Sequence, residues 1–276
     1  MAVGGDPKAA LPAAVGAECG HAASLVHDDI IDNDDMRRGQ PSVHRNFGTE
    51  EAIIAGDALI FHLFAGLAEC RDTGIPDERI TLALGAVARA GIDMCTGQSL
   101  EAAPGRNAGC TTEDYLTVVR LKTGAFFRGV CQCGAILGGA RPDWVDAVGR
   151  YGERLGVAFQ IHDDLLDYIS DSLTMGKSAT SDIRNRRFTL PVIYAYAAAG
   201  AQDRLRIDHA YSGSMEPDEA LASMREVLWR TYGIAAAEHT ARDNAHQAGE
   251  ALSGLPASPS RQVLARFAEL AVDRKY

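Results

Sequence analysis

One hexapeptide pattern occurs twice and constrains this chain more than any other feature. Residues 27–32 read HDDIID and residues 162–167 read HDDLLD: a histidine, two aspartates, two large aliphatics and an aspartate. On a helix, Asp28 and Asp32 fall at i and i+4, as do Asp163 and Asp167, so the first and last carboxylates of each copy share a face. Three carboxylates crowded on one turn (Asp28, Asp29 and Asp32, or Asp163, Asp164 and Asp167) repel one another and need a counter-cation. All-oxygen donors suit Mg²⁺, which keeps several waters and takes phosphate oxygens as its remaining ligands. Two such turns facing across a cavity would hold a metal cluster and, through it, a diphosphate. A single acidic cluster is just as readily a solvated helix face. Here both copies are embedded in apolar sequence, AASLV before the first and GVAFQI before the second. Charges set in apolar surroundings demand a partner.

The 276 residues suffice for one large domain, and 46% hydrophobic with 23% charged residues is a globular composition. Alanine dominates, aromatics make up 7% and β-branched runs are scarce, so the expected class is all-α. A net charge of −10 argues against a nucleic-acid surface. The six cysteines show no paired metal-binding spacing, and reduced core thiols in a cytoplasmic protein are the default reading. No uninterrupted apolar run approaches the ~18 residues of a membrane span, and the N-terminus has no basic-then-apolar leader pattern.

Along the chain, residues 1–8 read as a loop. A long helix is expected from about Leu11 through His21 to the first acidic turn, broken at Gly39-Gln40-Pro41. Arg37 and Arg38 lie just past that turn, where a guanidinium fork suits either diphosphate oxygens or the neighbouring Asp34 and Asp35. Residues 50–70 form a helix apolar on nearly every side, which must be buried all round or packed on a second subunit. Another helix is expected over 79–98. Thr111 or Thr112, with Glu113 and Asp114, opens the next. That helix carries Lys122-Thr123-Gly124 within VVRLKTGAFFRGV, a composition suited to a cavity wall with one cation. The second acidic helix runs from near Trp144 to about Ser170, with Gln160 one turn before Asp164. A loop with Gly176-Lys177 follows, then Ser181-Asp182, Arg186-Arg187 and Thr189-Leu190-Pro191. Beyond 192 the chain is helical, with polar breaks at 211–218 and around 256–260.

SLVHDDIIDNDDMRRGQPSVH and FQIHDDLLDYISD resemble the two aspartate-rich motifs of the trans-isoprenyl diphosphate synthases, the polyprenyl synthetase family. The resemblance implies an isoprenoid-synthase-type helical bundle around a central cavity, one domain over residues 1–276, and a homodimer with its seam on the helix at 50–70. It implies that magnesium, three ions with bound diphosphate, is held by the six aspartates. It further implies that Arg37, Lys122 and Lys177 contact the allylic diphosphate, that Arg38 and His21 contact isopentenyl diphosphate, and that Thr123 and Gln160 lie near the reacting carbon. The family's second GK is replaced here by Arg186-Arg187, which keeps the charge, with Arg187 as the substrate contact, but not the lysine.

In the family, an allylic prenyl diphosphate ionises, the double bond of isopentenyl diphosphate attacks the cation, and the departed diphosphate removes a proton. Product length depends on residues just upstream of the first motif. Here these are the small Ala23 and Ser24, which imply geranylgeranyl length or longer, with Phe61 and Phe64 as a deeper floor. The family also places a helix pair and a GKR segment ahead of the sequence that opens this chain, and no GKR precedes His21. Two alternatives therefore stay open: a class I terpene cyclase-like enzyme that ionises a prenyl diphosphate without isopentenyl diphosphate, and a non-catalytic partner subunit of a heteromeric synthase.

Overall fold

The structure is a computed structural model, and it describes residues 1–102, 109–169 and 180–273. Helix α1 spans Leu11–Asp32, with Pro12 in its first turn where a missing N–H costs nothing. It stops at Asn33, earlier than Gly39, because Asn33 takes the left-handed conformation (φ 54°) and turns its N–H back onto the carbonyls of Asp29 and Ile30. Arg38 and Gly39 then both adopt positive φ. They form the turn of a small hairpin in which β1 (Met36–Arg37) pairs antiparallel with β2 (Gln40–Pro41).

A short helix α2 (Val43–Phe47) leads into α3 (Thr49–Glu69), which returns along α1. The two helices lie close because glycines face each other across the seam. A side chain on Gly16 would press on the Leu63 carbonyl at 2.8 Å, and one on Gly56 would overlap the His27 ring. Helix α4 (Asp77–Glu101) continues a turn beyond Gly97-Gln98, and that extra turn carries Glu101 inward.

The Thr111 hydroxyl accepts from the Asp114 backbone N–H while the Asp114 carboxylate accepts from that of Thr111, a capping box that starts α5 (Thr112–Val119). Residues Arg120–Gly124 then form a single π-helical turn before α6 (Ala125–Leu137). Such a turn accommodates an extra residue and recurs at functional sites. The 28-residue α7 (Pro142–Ile169) crosses it at Gly156, where a Cβ would stand 2.8 Å from the Cα of Gly124.

The C-terminal half comprises α8 (Ser181–Arg184), α9 (Leu190–Ala198), α10 (Ala201–Ala210), α11 (Pro217–Arg230), α12 (Gly233–Ala251) and α13 (Pro259–Asp273). Beyond residue 192 the chain breaks at the two expected places and at two more. One is Ala199-Gly200 and the other is Thr231-Tyr232, where Tyr232 is left-handed. The largest apolar core joins one side of α7 (Val157, Ile161, Leu165) to α9, α11 and α12 through Leu190, Met224, Leu228 and Ile234. Helix α7 is thereby fixed, and its acidic turn with it.

Helices α3 and α4 are each long and apolar enough to cross a membrane by length and composition, with mean hydropathies of 1.6 and 1.2 over their best windows. The sequence reading found no continuous apolar run of that length, because glutamates, aspartates and small residues interrupt both helices. Only about a quarter of each window is buried, and Ile53, Ile54, Phe61 and Ile92 stand exposed. Phe61 is 73% exposed and so provides no cavity floor within the chain, whereas Phe64 packs on the core beside Leu67.

Candidate active site

The second aspartate of each motif is turned away from the face shared by the first and last. Asp29 is buried and accepts from Arg37 Nε at 2.9 Å, and Arg37 Nη2 closes the same pair. Asp164 is buried and accepts from the Tyr115 hydroxyl at 2.6 Å and from Gln160 Nε2 at 2.8 Å. On an ideal helix the second aspartate stands about 100° from the first and about 60° from the last, and in each motif it is held by a partner within the chain. Asp28, Asp163 and Asp167 remain partly exposed.

The carboxylates of the first motif are neutralised by cations from distant parts of the chain. Lys122 Nζ, from the π turn, lies 3.1 Å from Asp28 and 2.7 Å from Glu101. Arg187 forks onto both oxygens of Asp32 and reaches Glu101 at 3.4 Å. Burial alone would lower the Lys122 pKa, but Asp28 and Glu101 more than offset it and hold the ammonium charged well above its ordinary range. Arg187 is held charged in the same way, burial being outweighed by Asp32 and Glu101. Asp32 moves the other way. Burial raises its pKa, the Arg187 bond pulls it back, and Asp28 raises it again, so the net direction is up. Asp34, on the turn after α1, accepts from Ser181 Oγ at 2.9 Å and so ties the hairpin to α8.

The adjacent residues Lys122 and Thr123 reach opposite motifs. Lys122 contacts Asp28 on α1, and Thr123 Oγ1 donates to Gln160 Oε1 on α7 at 2.9 Å. The backbone here is wedged: a Cβ on Gly97 of α4 would overlap the Lys122 nitrogen. The π turn therefore bridges the two acidic helices and sets one cation and one hydroxyl between them.

Other expected residues are placed less centrally. His21 is half-buried on α1, seven residues before Asp28 and hence on the same stripe. Arg37 is paired with Asp29 rather than with Asp34 or Asp35, and Arg45 takes Asp35. Arg38 stands exposed at the hairpin turn. Lys177 lies outside the described residues. Sequence reasoning missed Glu101 and Tyr115. Glu101 had one detectable mark, an acidic residue in the last turn of a helix, where the dipole disfavours it and a nearby cation must explain it.

Comparison with known proteins decides the family. The polyprenyl synthetase family model matches residues 2–228. The chain belongs to the polyprenyl synthetase family. A short chain isoprenyl diphosphate synthase of Methanothermobacter thermautotrophicus is 36% identical over 276 residues, covering 100% of this chain and 83% of that one. A geranylgeranyl pyrophosphate synthetase from Pyrococcus horikoshii superimposes with a TM-score of 0.89 at 35% identity, over 99% of this chain and 82% of the other. A polyprenyl synthase from Caulobacter crescentus, solved with calcium and isoprenyl diphosphate, gives 0.91 at 29% identity, over 100% and 81%. This polyprenyl synthetase family member is thus a prenyltransferase with the all-α isoprenoid-synthase fold.

Proposed function

We propose that the protein condenses an allylic prenyl diphosphate with isopentenyl diphosphate to give a trans-polyprenyl diphosphate of geranylgeranyl length or longer. The observation that carries this reading is the π turn, whose Lys122 and Thr123 touch one acidic helix each. Among the described residues no three acidic, histidine or cysteine side chains converge on one point in the arrangement present. The donors nonetheless fit a hard divalent cation: Asp28 with Asp32, and Asp163 with Asp167, offer oxygen only and sit one helical turn apart. The Caulobacter relative's calcium and isoprenyl diphosphate support the same fit. Mg²⁺ held there would act as a Lewis acid on the diphosphate as its charge develops.

The chain's own groups account for the rest. Lys122 and Arg187 would move from Asp28 and Asp32 onto diphosphate oxygens, remaining near Glu101, and Lys177 would join them. Arg37 would add a further contact to the allylic diphosphate, and His21 and Arg38 would hold isopentenyl diphosphate. Thr123 and Gln160 would stand beside the allylic carbon, and the apolar wall would keep water from the cation. Ala23, fully buried, and Ser24 place no bulky side chain just upstream of the first motif, which supports the longer product. The apolar faces of α3 and α4 support a homodimer, and six free cysteines support a reducing, cytoplasmic setting. That helices α1, α4 and α7 contribute to one site supports reading residues 1–276 as one domain.

The test is mass-spectrometric product analysis with Mg²⁺ and farnesyl diphosphate, with and without isopentenyl diphosphate. Longer prenyl diphosphates that appear only with isopentenyl diphosphate support the reading. Hydrocarbons or alcohols formed from farnesyl diphosphate alone would replace it with a cyclase.

A further inference from the structure

We infer that Tyr115 and Asp164 are positioning residues that fix the Gln160 amide, and through it the direction in which the Thr123 hydroxyl donates. The inference rests on the proposed function, in which Thr123 faces the reacting carbon. It also departs from the motif, which would make Asp164 a metal ligand.

The four residues form a single hydrogen-bonded file from the buried core to the partly exposed Gln160 and Thr123. The Tyr115 hydroxyl on α5 donates to Asp164 Oδ2 at 2.6 Å, Gln160 Nε2 donates to Asp164 Oδ1 at 2.8 Å, and Thr123 Oγ1 donates to Gln160 Oε1 at 2.9 Å. Tyr115 and Asp164 are both buried, whereas Thr123 and Gln160 are partly exposed. A carboxylate only accepts, and an amide has one donating and one accepting end. Burial and the charge of Asp182 raise the Asp164 pKa, and the bonds from Tyr115 and Gln160 oppose them. In the ionised form Asp164 accepts on both oxygens, so the Gln160 NH₂ faces it and the Gln160 carbonyl faces Thr123. That carbonyl can only accept, so the single Thr123 hydroxyl hydrogen is used there. The lone pairs of Thr123 are what remain for the cavity, and electron density there stabilises a developing carbocation.

The competing arrangement has the amide flipped, its NH₂ facing Thr123 and the hydroxyl hydrogen turned outward. It requires a donor at position 164. Asp164→Asn supplies that donor with almost no change of shape, so the substitution is a direct probe of the file. Asp164→Asn/Gln160→Glu restores acceptor character opposite Thr123, because a carboxylate at 160 accepts from Asn at 164 and from Thr123 together.

The experiment compares wild type, Asp163→Asn, Asp164→Asn, Tyr115→Phe and Asp164→Asn/Gln160→Glu. Each is measured for kcat, for both KM values, for the stoichiometry of Mn²⁺ bound with inorganic pyrophosphate, and for thermal midpoint. Asp164→Asn should lower kcat by about tenfold or more, on the scale of a lost preorganised hydrogen bond, with KM and Mn²⁺ stoichiometry unchanged. Tyr115→Phe should fall between it and wild type, and the double variant should regain much of the loss. A purely structural role would lower the thermal midpoint without that rescue, and overturns the inference. So does an Asp164→Asn enzyme with wild-type kcat, or one that loses bound Mn²⁺ as Asp163→Asn does. If wild type itself consumes no allylic diphosphate, the proposed function fails instead.

Discussion

Lys122 and Arg187 are paired with Asp28 and Asp32, the first-motif carboxylates that would hold metal, so part of that motif's negative charge is already offset without a ligand. Removing one cation leaves a partly buried carboxylate short of its partner, and a metal ion can supply the missing charge. Lys122→Gln and Arg187→Gln should therefore bind Mn²⁺ alone several-fold more tightly than wild type, a gain of about 1 kcal/mol, while binding pyrophosphate more weakly. Manganese titration followed by electron paramagnetic resonance reads the first effect and calorimetry the second. Equal or weaker Mn²⁺ binding would show that the pairs do not compete with metal. A second residue-scale expectation concerns the thiols on α6. Burial pushes Cys131 and Cys133 up to about 12. At pH 8 the neutral thiol, which is unreactive, then outweighs thiolate by about 10⁴. Both should resist iodoacetamide at pH 8 in the native protein and react after denaturation, as peptide mapping would record. Rapid native alkylation of either would contradict the raised pKa.

At the scale of elements, the site depends on how closely α4 approaches the π turn. Gly97→Ala would drive a methyl group into the Lys122 backbone. Overpacking of this kind costs about 1–3 kcal/mol and displaces Lys122 from Glu101 and Asp28. A lower urea midpoint and weakened diphosphate binding should appear together; a variant of wild-type stability and affinity would mean that the two helices are not in contact. The chain's helices were legible because their signals are local: Pro12 in the first turn of α1, the Thr111–Asp114 box before α5 and Thr189-Leu190-Pro191 before α9. The two acidic faces were legible too, since i and i+4 place Asp28 with Asp32 and Asp163 with Asp167. The rest depends on tertiary partners. Nothing local marks Arg120–Gly124 as a π turn, which arises where α4 and α7 press glycines against it. No spacing rule pairs Asp164 with Tyr115, 49 residues away, or Arg187 with Asp32. Asn33 ended α1 ahead of the stronger breaker Gly39 because its left-handed turn also satisfies two carbonyls.

For the whole molecule, the exposed apolar side chains of α3 and α4 are the feature that a lone chain leaves unexplained. Ile54 and Phe61, seven residues apart on one stripe of α3, are 61% and 73% exposed. On the homodimer reading they lie in the subunit seam. Phe61→Asp should then give monomers in sedimentation velocity where wild type sediments as a dimer, whereas an unchanged sedimentation coefficient would move the seam elsewhere. The central claim is that the two acidic helices, bridged by Lys122-Thr123, act as one site for metal and diphosphate. Calorimetric titration with inorganic pyrophosphate, with and without Mg²⁺, tests it most directly in wild type, Asp28→Asn and Asp163→Asn. Tight binding should require Mg²⁺ and should be lost on substitution in either motif. Binding that ignores Mg²⁺, or that survives loss of one motif, would contradict a shared site.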